Sequence, residues 1–148
     1  MRGMQEGIMW VILLMTVWLF AISIMDIRCR MVPVWLLLAG GALAGVFMAY
    51  QCSRGERILL DIMKGVMPGL LLLGISFATK NAGYGDGIVM LILGMVLNGR
   101  KSLMIFGISL FCIAICSLTL LVLRKAGRST KIPYLPFLTV AWLIAMGL

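Results

Sequence analysis

An all-α membrane protein, a bundle of about six transmembrane helices, is the fold class this sequence predicts. Three observations lead there. Of its 148 residues, 63 % are apolar and only 12 % are charged, against roughly 45–50 % and about 25 % in a soluble domain. The mean hydropathy is +1.13. The polar residues gather in short stretches between apolar runs, most of them near the ~20 residues that a bilayer crossing takes. Such a chain has too little polar surface for a soluble fold and is too apolar for disorder. The runs use nearly the whole sequence, so a single transmembrane domain over residues 1–148 is expected.

The first run, 8–25, follows Arg2 and ends at Asp26. Ala21-Ile22-Ser23 loosely resembles a signal-peptide cleavage site. The run is longer than the ~7–15 residues of a signal-peptide core and further spans follow, so it is read as a retained span. A short polar stretch, 26–30, precedes the second run, 33–50. Pro33 opens that run, as the first helical turn tolerates proline. Gly41 and Gly45 form a small-xxx-small pair there, suited to close helix packing.

After a polar loop at 51–57 comes the third run, 58–79. Asp61 and Lys64 stand three apart on one helical face and are expected to pair. Pro68 is expected to kink this helix. Residues 80–87, KNAGYGDG, read as a glycine-rich turn. The fourth run, 88–98, reaches only ~16 Å at 1.5 Å per residue. Either the turn dips into the membrane or the helix continues past Gly99. Arg100 and Lys101 form the next loop, and the fifth run is 103–123. A basic segment at 124–131 leads to the last run, which opens at Ile132-Pro133-Tyr134-Leu135-Pro136.

There are 13 Lys and Arg, 5 Asp and Glu and no His, for a net charge of +8. In so apolar a chain these cations are flanks that orient spans and meet anionic lipid, and nucleic acid is not an expected partner. Loops one, three and five hold Arg28, Arg30, Lys80, Arg124, Lys125, Arg128 and Lys131. The N-terminus and the even loops hold Arg2, Arg54, Arg57, Arg100 and Lys101. This bias places the odd loops in the cytoplasm and both termini outside. Cys29, Cys52, Cys112 and Cys116 form no CxxC, and without His no metal site or cofactor is expected.

The acids are Glu6, Asp26, Glu56, Asp61 and Asp86. Acids at membrane depth are expensive and usually functional. Asp26 closes the first span and Asp86 opens the fourth, so six crossings put both on one membrane face. Two carboxyls ~3 Å apart cannot both ionise. The ionised one can take a proton from water, while its neutral partner hydrogen-bonds a scissile carbonyl and later protonates the leaving amine. That chemistry needs no metal, serine or histidine. Gly83, Tyr84 and Gly85 precede Asp86, and the glycines let a substrate backbone approach closely. Equally open is a plain helix start capped by Asp86. A third reading, a small transporter or assembly subunit, uses the acids to relay protons or bind a cation.

Three segments together resemble the type IV prepilin peptidases. Asp26-Ile27-Arg28 with Val32-Pro33 is similar to the family's first motif, an Asp closing a span, a nearby Arg and an Ile-Pro-Asn-like turn. Gly83-Tyr84-Gly85-Asp86 resembles its second motif, GxGD. The segment from Ile132 to Phe137 resembles the proline-aromatic motif that opens its last helix. The resemblance implies an aspartic endopeptidase of the bacterial inner (cytoplasmic) membrane, working near the cytoplasmic face. Such enzymes cut the basic leader from type IV pilin-like or related secretion-system precursors. It implies Asp26 and Asp86 as the catalytic pair. Gly83, Tyr84, Gly85, Arg28, Lys80, Pro33, Pro133 and Pro136 would bind substrate or shape the site. The implied partner carries a basic leader and a hydrophobic helix, with Gly before the cut. A wider GxGD protease acting on other membrane peptides is the nearest alternative.

The sequence departs from the family pattern at two places. Val34 stands where Asn is common, and Ile88 where Lys is common. Lys80 could supply the missing charge, although an ordinary cytoplasmic flank is the preferred reading. Arg28 is either a flank or a charge that biases Asp26. The CxxC motifs of the zinc and N-methyltransferase domain of larger members do not occur, so cleavage without methylation is expected. Charge does not explain how a +8 protein would bind a basic leader.

Overall fold

The computed structural model describes residues 2–29, 32–53, 55, 59–79, 84–123 and 133–147. Among them the chain forms six helices: α1 (Arg2–Cys29), α2 (Val34–Ser53), α3 (Leu59–Thr79), α4 (Tyr84–Val96), α5 (Gly99–Val122) and α6 (Leu135–Met146). A helix satisfies its backbone polar groups within the segment, as an apolar run in lipid must. Four helices are long and apolar enough to cross a membrane: α1, α2, α3 and α5. The chain is therefore a multi-pass membrane protein. With 13 and 12 residues, α4 and α6 reach about 20 and 18 Å, short of the ~30 Å hydrocarbon layer.

The two short helices form the centre. In α4, Val89, Met90, Ile92, Leu93 and Val96 are buried. In α6, Leu135, Leu138, Ala141 and Trp142 are buried. Met15, Leu19 and Ile22 of α1 close the same core. The long helices turn large apolar side chains outward, such as Trp35, Phe77, Phe111 and Leu118. Lipid, as apolar as these side chains, gives no reason to bury them.

Helices α3 and α4 run antiparallel with backbones in close approach. Gly65 faces Gly94, Gly69 meets the Leu91 backbone, and Gly87 meets Leu73. A Cβ on any of these glycines would collide. From α5, the buried Ser102 Oγ donates to the Gly65 carbonyl at 2.6 Å. The close-packing role expected of Gly41 and Gly45 lies elsewhere. Gly45 faces open space, and a Cβ on Gly41 would meet only Ile92 Cδ1, at 3.9 Å. It is Gly40 that receives the Trp18 indole, whose Nε1 donates to the Leu36 carbonyl at 2.8 Å. Trp142 Nε1 donates to Thr16 Oγ1 at 2.9 Å and ties α6 to α1.

Other boundaries and contacts also differ from expectation. Helix α4 starts at Tyr84, so Tyr84 to Gly87 form a helical turn instead of an open glycine loop. It stops at Val96 and does not continue past Gly99. Asn98 is extended there, with φ −70 and ψ 150, and its carbonyl accepts the Ser102 N–H at 2.9 Å. Helix α5 thus takes in Arg100 and Lys101, expected in a loop. Asp61 and Lys64 form no ion pair with each other among the described residues; the Lys64 stem packs on Gly99 instead. Pro68 lies buried inside α3, which runs from Leu59 to Thr79.

Candidate active site

One end of the bundle gathers the last turn of α1, the entry to α2 and the first turns of α4 and α6. Asp26 stands in the last turn of α1 and is only 8 % exposed. Its Oδ2 accepts the N–H of Leu135, the first residue of α6, at 3.3 Å. That N–H is one of the four at a helix start that have no intrahelical partner. The acid of one helix therefore caps another.

Asp86 stands in the first turn of α4 and is half-buried. A helix dipole favours an acid there, so the position serves the helix as well as the site. The two carboxyls lie close enough for their charges to act on one another. The α2 entry packs over the same turn, with Val32 Cγ2 3.3 Å from where a Cβ on Gly85 would stand. The Pro33 carbonyl then accepts the N–H groups of Leu36 and Leu37 at 3.0 and 3.3 Å, which starts α2.

Tyr134 closes the remaining side. It is 7 % exposed, lies within electrostatic reach of Asp86, and its hydroxyl is 2.8 Å from Ser109 Oγ of α5. The segments around Asp26, Val32, Asp86 and Leu135 thus meet in three dimensions. Two acids in one apolar end can hold and exchange a proton, with a helix-start amide and a buried tyrosine hydroxyl beside them.

The other sequence-derived candidates are placed as follows. Tyr84 is half exposed at the α4 start. Arg28 is exposed and makes no ion pair with Asp26 among the described residues. Pro133 is half-buried just before Tyr134, and Pro136 lies in the first turn of α6. Lys80 and Gly83 lie outside the described residues, as do Arg30 and the basic segment 124–131. An apolar cleft of about 620 Å³ between α1 and α2, lined by Val11, Leu43, Phe47 and Gln51 among others, contains no acid.

Sequence reasoning missed the Leu135 amide, the Tyr134 hydroxyl and Ser109. A serine inside an apolar span is a usable signal, because its hydroxyl must find a partner there. Ser109 is fully buried. Among the described residues no three His, Cys, Asp or Glu come together as a metal site would require.

A family model, described as the type IV leader peptidase family, matches residues 13–118. That stretch includes Asp26 and Asp86 and stops short of Tyr134. No curated protein and no solved structure matches the chain.

Proposed function

The chain belongs to the type IV leader peptidase family, and we propose that it is a membrane aspartic endopeptidase with Asp26 and Asp86 as its catalytic pair. The observation that carries this reading is the placement of both acids at one end of the bundle, within electrostatic reach of each other, where the end of α1 meets the starts of α4 and α6. Its substrates are precursors of type IV pilin-like or related secretion-system proteins. Each joins a basic leader to a hydrophobic helix, and the cut falls on the cytoplasmic side of the inner membrane, where the anionic leaflet receives the flanking cations.

In the cleaving state the two carboxyls share a proton and titrate as one unit. The ionised member accepts a proton from a water molecule. The water oxygen bonds to the scissile carbonyl carbon, and the protonated member hydrogen-bonds the carbonyl oxygen. The C–N bond then breaks, the leaving nitrogen takes a proton from the pair, and the pair returns to its starting state. The Leu135 N–H on Asp26 Oδ2 stabilises negative charge there, as does the start of α6. Asp26 is therefore assigned the proton-accepting role and Asp86 the shared proton.

Tyr84 and Gly85, with Gly83, form the GxGD segment along which the extended peptide lies. Pro33, Pro133 and Pro136 hold the two flanking helix starts. Arg28 and Lys80 lie near enough in sequence to supply positive charge to the acids. The test is reconstitution with pilin-like precursors, comparing wild type with Asp26→Asn and Asp86→Asn. Wild type cleaves and both variants fail. Cleavage that survives both substitutions overturns the reading. Uncut precursors combined with acid-dependent proton flux in liposomes favour a transporter.

A further inference from the structure

We propose that Tyr134 is a positioning residue: latched to Ser109, it sets the start of α6 so that the Leu135 N–H meets Asp26. The proposal concerns the cleavage site described above and rests on that reading for its effect on rate. Ser109 Oγ donates to the Phe106 carbonyl at 2.8 Å and lies 2.8 Å from the Tyr134 hydroxyl. A serine hydroxyl has one proton. With that proton on the Phe106 carbonyl, Ser109 accepts and Tyr134 donates. The Tyr134 proton is thus committed inside the protein and is not offered to a substrate.

The backbone of Tyr134 begins α6. Its carbonyl accepts the N–H groups of Phe137 and Leu138 at 3.1 and 3.2 Å. Tyr134 makes no side-chain cap on its own helix. Pro136, in the first turn, has no N–H to give. The Leu135 amide is the donor that reaches Asp26. The links run in series: Phe106 and Ser109 on α5, Tyr134 at the start of α6, Leu135, then Asp26 on α1. At 3.3 Å the last link lies just past the usual N–H···O range, so a small slide of α6 breaks it. The latch prevents that slide, because a tyrosine hydroxyl buried among apolar helices keeps the partner it has.

The experiment pairs kinetics with a spectroscopic signature in detergent micelles. Tyr134→Phe and Ser109→Ala each lower kcat about tenfold, the size of one lost hydrogen bond, and leave KM unchanged. The double variant loses no more than either single one, as members of one chain of bonds should. Ser109→Thr keeps the hydroxyl and retains wild-type kcat, which separates the effect from misfolding. The Leu135 amide proton shifts upfield in Tyr134→Phe and in Asp26→Ala alike. A Tyr134→Phe protein with wild-type kcat and an unmoved Leu135 amide overturns the positioning role while cleavage stands. A wild-type protein that cuts no precursor, yet whose Leu135 amide responds to Tyr134→Phe, supports the link and overturns the cleavage reading alone.

Discussion

The backbone N–H of Leu135 donates to Oδ2 of Asp26, joining residues 109 apart in sequence across 3.3 Å. One hydrogen bond thereby fastens the end of α1 to the start of α6 at the acid assigned to accept a proton. It gives Asp26 a structural role beside the chemical one proposed for it, and the two can be separated by substitution.

Asp26→Asn keeps a carbonyl oxygen for the Leu135 N–H, so the bundle stays intact while cleavage falls by at least about 100-fold. Asp26→Ala removes the acceptor and leaves a buried N–H unpaired, which costs about 1–3 kcal/mol. Thermal unfolding in micelles checks the contrast: Asp26→Ala melts lower, and Asp26→Asn melts near wild type. Equal destabilisation by both would detach the hydrogen bond from stability.

The α3 and α4 contact makes a second prediction. Gly94→Ala drives a Cβ into the Gly65 backbone, and such overpacking costs typically about 1–3 kcal/mol. It also displaces the helix that carries Asp86, so activity falls with stability. Gly45→Ala enters open space and is close to neutral. The measurement is the unfolding midpoint of each variant beside its cleavage rate. A destabilised Gly45→Ala protein, or a tolerant Gly94→Ala protein, contradicts the packing described.

These two glycine sites show what the sequence could reveal. Gly41 and Gly45 carry the same local pattern as Gly65 and Gly69, and nothing local distinguishes them. What separates them is whether a partner backbone arrives, which is a tertiary fact. The apolar runs were legible because a bilayer fixes the length and composition of a span. The start of α4 was not, because hydropathy marks burial and not helicity, and Tyr84-Gly85-Asp86 is polar and glycine-rich enough to read as a turn. The scarcity of acids pointed to Asp26 and Asp86. The Leu135 amide has no side-chain signature at all, and Ser109 shares its apolar run with Ser117 and Thr119, while its partner Tyr134 lies 25 residues away.

A shared proton predicts a bell-shaped dependence of kcat/KM on pH. Activity is lost on the acid side when both carboxyls are protonated, because no base remains. It is lost on the alkaline side when neither is, because no acid remains. Both limbs belong to the pair and not to either residue. Initial cleavage rates across the pH range check this, with Tyr134→Phe as a variant that keeps both acids. A profile with a single limb contradicts a pair that needs one proton.

The central claim is that Asp26 and Asp86 act as one unit. Single-turnover cleavage of a pilin-like precursor by Asp26→Asn, Asp86→Asn and the double variant tests it most directly. If the acids work as a pair, each single substitution costs nearly as much as both together. If the losses multiply, with each single variant retaining substantial activity, the two acids act independently and the catalytic pair is wrong.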